Sequence, residues 1–87
     1  MTTTVTIRGA TLITVDFEVP SAFGATVSAP GVKAGDVLLT TNDMSDTYKG
    51  QVIGWVEGII SVDDQIVSIY GPGTTGILAQ AIFLRMT

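Results

Sequence analysis

Valine, isoleucine and threonine supply 32 of the 87 residues, and ten glycines and three prolines break them into short runs. Side chains branched at Cβ are stiff about χ1, fit a pleated sheet and crowd a helix. Short β-branched runs between glycine or proline turns are the pattern of an all-β fold. No stretch sustains a 3.6-residue period. The expectation is a small antiparallel β-sandwich or barrel of about seven short strands, folded as one domain over residues 1–87. Residues 1–10 read as an edge strand or an extended N-terminal arm.

The clearest alternation runs from Leu12 to Val19, where Ile13, Val15, Phe17 and Val19 point one way and Thr14, Asp16 and Glu18 the other. One face belongs in a core and one in water. Thr3 to Arg8 reads as a strand before it, Gly9-Ala10 as the turn between, and Ala25 to Ala29 as a short strand after it. Val37 to Thr41 is an apolar run typical of a strand buried on both faces, and Asn42 to Gly50 reads as a polar surface loop. Gln51 to Ile60 reads as a long strand interrupted by Gly54 and Gly58, at which a bulge, a bend or a close backbone approach is expected. Val62 to Gln65 makes a tight turn, from which Ile66 to Tyr70 pairs back as a hairpin. Gly71 to Gly76 is another turn. Ile77 to Met86 is the last strand, although Ala79, Gln80, Ala81 and Leu84 also suit a helix.

Apolar residues make up 46% of the chain and charged ones 14%, with a mean hydropathy of +0.51. A folded monomer of this mass exposes roughly 4,900 Å² against about 13,200 Å² for its extended chain, so it buries only about 63%. The chain is thus more apolar than so small a core requires. Other copies, a larger assembly or a membrane must cover the surplus. A spanning helix is unsuited to the sequence, because the longest charge-free window, Gln65 to Leu84, contains Gly71, Pro72, Gly73 and Gly76. Nor does the N-terminal Met1-Thr2-Thr3-Thr4-Val5-Thr6 resemble a signal peptide.

The chain has no cysteine and no histidine. Without them there are no disulfides, no thiol nucleophiles, no serine–histidine triads and no histidine metal sites. A small domain without disulfides suits a reducing cytosol. The net charge is −4, and the four basic residues, Arg8, Lys33, Lys49 and Arg85, are scattered. No basic stripe exists to neutralise phosphates, so nucleic acid is not an expected partner. No cofactor is expected either, and the chain is not expected to be an enzyme.

Gly71-Pro72-Gly73-Thr74-Thr75-Gly76 has dinucleotide-loop spacing. That motif needs a following helix and an acidic residue about 20 positions on, and only 11 residues follow Gly76. It reads as a turn. Asp43, Asp46, Asp63 and Asp64 could gather around a hard cation, but solvated turn aspartates are the commoner outcome. Asp16 and Glu18, side by side on one strand face, match a carboxylate pair formally and mark a wet face or a subunit contact more simply. Ser61-Val62-Asp63-Asp64 has the form of a helix-capping box, yet the alternating β-branched run after it leaves no helix to cap. On the Gln51 to Ile60 strand, Val52, Val56 and Ile60 share one face, and Ile53, Trp55 and Ile59 the other. If the first is core, Ile53, Trp55 and Ile59 form an interface patch. If Trp55 fills the core, the glycines face out. Tyr48 and Tyr70 are the remaining aromatic contact candidates. Besides the Ile53-Trp55-Ile59 face, the final strand and unpaired strand edges are places for the surplus apolar surface.

Several short pieces also recur in a fixed order: Pro30-Gly31, Gly35-Asp36-Val37-Leu38-Leu39, Gly54-Trp55-Val56, Asp63 to Ile69, and Ala81-Ile82-Phe83-Leu84-Arg85. In that order and spacing the stretch from Pro30 to Arg85 resembles small all-β virion proteins of tailed bacteriophages. The related pattern often carries Asn-x-Thr after its penultimate strand. Here Tyr70 to Thr75 takes that place, so contacts of that loop do not transfer. The resemblance implies a capsid decoration, or cement, protein without catalytic residues. It would be made in the host cytoplasm and carried on the virion, as a homo-oligomer of three copies bound to the major capsid protein. The alternative is a tail, neck or fibre component or a carbohydrate- or receptor-binding module.

Overall fold

The computed structural model describes residues 2–20, 24–45, 56–69 and 77–86. Six strands form: β1 (Thr2–Ile7), β2 (Ala10–Val19), β3 (Thr26–Ser28), β4 (Val37–Asp43), β5 (Gln65–Val67) and β6 (Ile77–Met86). No helix occurs among the described residues. Four strands make an antiparallel sheet in the order β1-β2-β6-β4, and β3 pairs with β5 in a second. The chain is all-β, as its composition predicts. Of the expected seven or so strands six are described, and the sheets they form do not close into a barrel.

β2 and β6 form the centre, paired without interruption from Ala10↔Met86 to Val19↔Ile77. The alternation in β2 places Ile13, Val15, Phe17 and Val19 in the core. The register sets large against small, with Val15 opposite Ala81 and Phe17 opposite Ala79, while Phe83 lies opposite Ile13. Cross-strand neighbours on one face pack directly, so each phenylalanine or valine of the layer is matched across the register. Ala29, Val32, Val56, Ile60 and Ile66 complete one contiguous core against that face. β6 is a strand and not a helix because β2 and β4 both take their main-chain partners from it.

Three sequence expectations need correction. Val37 to Thr41 is not buried on both faces: Val37 is 45% and Leu39 54% exposed. β4 lies at the sheet edge, and its register against β6 shifts between Leu38 and Thr40, leaving Leu39 as a bulge residue. Asn42 and Asp43 belong to that strand and not to a loop, because pairing continues to Gln80 and Ala79. The described end of the expected Gln51 to Ile60 strand forms only isolated bridges, Val56↔Ser68 and Val37↔Ile59. β5 pairs with β3 on one side, and the expected hairpin is kept on the other only by the antiparallel Val56↔Ser68 bridge and a Glu57 N–H bond to the Val67 carbonyl of 3.0 Å.

The folded surface is 4945 Å², close to the roughly 4,900 Å² of an ordinary monomer of this mass. The surplus apolar residues therefore do not make a larger core. Val5, Val37, Leu39, Ile59, Val62, Ile69, Leu78 and Met86 are all exposed.

Candidate functional site

Three segments distant in sequence meet where β4 begins. Asp36, only 2% exposed, receives the Arg85 guanidinium on both carboxylate oxygens, from Nε at 2.8 Å and from Nη2 at 2.7 Å. The Lys33 backbone N–H donates to the same carboxylate at 2.8 Å, and Arg85 Nη2 also donates to the Gly31 carbonyl at 3.0 Å. Burial alone would raise the Asp36 pKa, but these bonds and the nearby positive charges together hold it below its ordinary 3.8. The hydrogen bonds to Asp36 raise that of Arg85 in turn. Asp63 and Asp64 cap the same loop, accepting from the Ala34 and Gly31 backbone N–H groups at 2.8 and 2.9 Å. Main-chain bonds from Gly35 to the Ile60 carbonyl and from Ile60 to the Asp36 carbonyl join the two loops.

Such an arrangement holds the β4 start, the 31–36 loop and β6 together. A fork-to-carboxylate pair with its lone pairs engaged has no proton to move at neutral pH. Pro30-Gly31, Gly35-Asp36, Asp63-Asp64 and Arg85, short pieces spread over 56 positions, here serve one clamp. Sequence reading could not see this, because nothing local marks Arg85 as the partner of Asp36.

The candidate residues are placed as follows. Asp63 and Asp64 sit at the clamp, whereas Asp43 lies at the far end of β4 and accepts from the Ser45 N–H at 2.7 Å. Asp43 is therefore not brought to Asp63 and Asp64, and no group of three metal-binding side chains exists among the described residues. Asp16 and Glu18 are exposed beside a groove of about 500 Å³ that Phe17, Met44 and Leu78 also line. Asp16 accepts from Gln80 Nε2 at 3.0 Å. The capping-box residues 61–64 form a bend and turn, with Asp64 at φ 63°. Val56 and Ile60 are buried while Ile59 is exposed. Asp46, Tyr48, Ile53, Trp55, Tyr70 and the Gly71 to Gly76 motif lie outside the described residues.

The feature not read from sequence is the outer face of the four-stranded sheet. The registers set Val5, Leu12, Leu84 and Val37 opposite one another in a row across all four strands. This parity is the reverse of the core face, so the row points away from the core. Val5 is 49% exposed, and Ile59, joined to Val37 by a bridge, extends the row at 60%. Ile82 and Met86 lie on the same face of β6. Toward the other end the face turns polar, through the row Asp16, Gln80 and Asn42. The sequence signal was present in β6, whose run Ile77 to Leu84 holds a single polar residue, Gln80. A strand apolar on both parities must present one apolar face outward if only one face is covered.

A fold of this kind defines a small antiparallel all-β protein with one apolar outer sheet face. No family model, curated protein or solved structure matches the chain.

Proposed function

We propose that this chain is a non-enzymatic structural protein of a bacteriophage virion. It decorates the assembled head, binds the major capsid protein and stabilises the shell as a symmetric homo-oligomer of three copies. The observation that carries this reading is the apolar row Val5–Leu12–Leu84–Val37, a contiguous outward surface on a chain whose core is already closed on the opposite face. Contiguous exposed apolar surface is the mark of a protein contact. The absence of histidine and cysteine from the chain and the resemblance over Pro30 to Arg85 support the same reading. Mechanism follows from linkage: a ligand bound only to the assembled shell stabilises it by mass action, increasingly with free concentration. Repeated weak contacts then add by avidity.

Purified protein mixed with heads that lack it should co-sediment and raise the temperature at which they release DNA. Substituting Val5→Asp, at an exposed position of the row away from the β4 clamp, should weaken binding by about tenfold or more with little change in the melting temperature of the free protein. Heads that neither retain the protein nor gain stability would overturn the proposal, and labelling confined to the tail would assign the chain to recognition instead.

A further inference from the structure

Among the described strands the sheet ends at β1, and the turn that follows fixes which of its backbone groups point away from β2. Arg8 and Gly9 have φ of 39° and 79° and form a two-residue loop between Ile7 and its partner Ala10. Positive φ at both central positions makes this a type I′ turn, which closes on a pair exchanging both N–H···O bonds. Counting back by alternation, Ile7, Val5 and Thr3 direct their main-chain groups at β2. Thr6, Thr4 and Thr2 direct theirs away, and no described strand lies beyond them.

Edges left open in this way are normally blocked by charge, proline or a bulge. β1 has none of these. Its residues Thr2, Thr3, Thr4, Val5, Thr6 and Ile7 are all β-branched and uncharged, and its pairing with β2 is unbroken.

We propose that β1 is a two-fold contact, at which a second copy of this chain adds its own β1 antiparallel. One register uses every free group: Thr4 faces the partner's Thr4, and Thr2 faces the partner's Thr6. Each of these pairs then exchanges two main-chain hydrogen bonds. A slip of two residues loses a pair, and a slip of one opposes groups that point the wrong way. The axis stands perpendicular to the sheet, so outer faces stay on one side and the two four-stranded sheets become continuous. Val5 then lies beside the partner's Thr3, and the apolar rows of both copies share one surface. Charge fits as well. In this register the partner's Arg8 turn falls beyond the Thr2–Val15 pair, toward the Asp16 and Glu18 end of β2. Each copy of an acidic chain thus meets the other with its Arg8 turn.

The contact is small by the standard of stable interfaces, so assembly should depend on concentration. Sedimentation equilibrium of the intact chain should give an even number of copies, a dimer or a hexamer where three-fold contacts also form. The chain has no cysteine, so single thiols report the register. Thr4→Cys places two Cα atoms about 5.5 Å apart, within disulfide range, whereas Thr6→Cys leaves them roughly 14 Å apart. Mild oxidation should cross-link Thr4→Cys in about tenfold greater yield. Thr4→Lys should dissociate the assembly with little change in melting temperature. A monomer or trimer at every concentration, equal cross-linking of both cysteine variants, or an intact assembly in Thr4→Lys would each overturn the proposal. Trimers that bind heads would overturn this contact alone, and dimers indifferent to heads would overturn the decoration reading alone.

Discussion

The two edges of the four-stranded sheet are built on opposite plans. β4 carries a bulge at Leu39, ends in Asn42 and Asp43, and is tied along its first turn of pairing to residues 58–60. Leu38 donates to the Gly58 carbonyl at 2.8 Å and Ile60 to the Asp36 carbonyl at 2.9 Å. The Asp36–Arg85 clamp sits directly before it. β1 has a regular register, no charge and no described strand beyond it. Within one sheet, then, one edge is closed by bulge, charge and cross-links, and the other is left able to pair. The difference locates the stabilising chemistry at β4 and the capacity for association at β1, so substitutions at the two edges should separate stability from assembly.

The largest effect is expected at the closed edge. Arg85→Ala strands the buried Asp36 carboxylate without its counter-ion, which should cost about 3 kcal/mol, read as a lower urea midpoint at unchanged slope. Replacing both members, as Asp36→Leu with Arg85→Met, should cost less than Arg85→Ala, because no charge is then left buried and unpaired. Equal costs would mean that the pair is screened by solvent. The same pair sets a pH dependence. The folded pKa of Asp36 lies below its unfolded value of 3.8, so its contribution is complete above that value. It is lost as pH falls through the lower folded pKa. Asp36→Asn should flatten the acid limb of the stability curve below about pH 4, and an unchanged limb would assign acid sensitivity elsewhere.

At the open edge, parity decides the outcome. Val5→Pro removes an N–H that bonds across to β2 opposite Leu12, and should cost about 2 kcal/mol. Thr4→Pro, one residue away, removes an N–H directed outward, so it should cost well under half as much. Thermal melts at a concentration where the wild type is monomeric compare the two. If Thr4→Pro proves the more damaging, the assignment of inward and outward groups in β1 is reversed.

What the sequence made legible was whatever has a local period. Ile13, Val15, Phe17 and Val19 were readable because half-buried strands alternate, whereas β6 read as a strand that could equally suit a helix, because its apolar run shows no single period. The clamp was not, since Asp36 and Arg85 are 49 positions apart. The exposure of Val37 and Leu39 was hidden because an apolar run looks alike in a central strand and at a bulged edge. Asn42 and Asp43 looked like loop because their strand state depends on the register of β4 with β6, not on their own propensity. The apolar outer row needed three registers at once, as Val5, Leu12, Val37 and Leu84 come from four strands.

The smallest expected change lies in the turn that carries β1. Arg8 holds φ of 39°, a left-handed conformation that costs side chains with a Cβ about 1 kcal/mol or more. Asparagine tolerates this region, and Asn-Gly is the preferred pair for a type I′ turn. Arg8→Asn should therefore raise stability by about 0.5 kcal/mol, measurable as a small increase in urea midpoint. The same substitution removes the basic group that β1 pairing would carry toward Asp16 and Glu18. It should thus stabilise the hairpin while weakening association, and lower the salt sensitivity of the assembly. Gains in both stability and assembly would show that Arg8 serves only the turn, and losses in both that its side chain packs within its own copy.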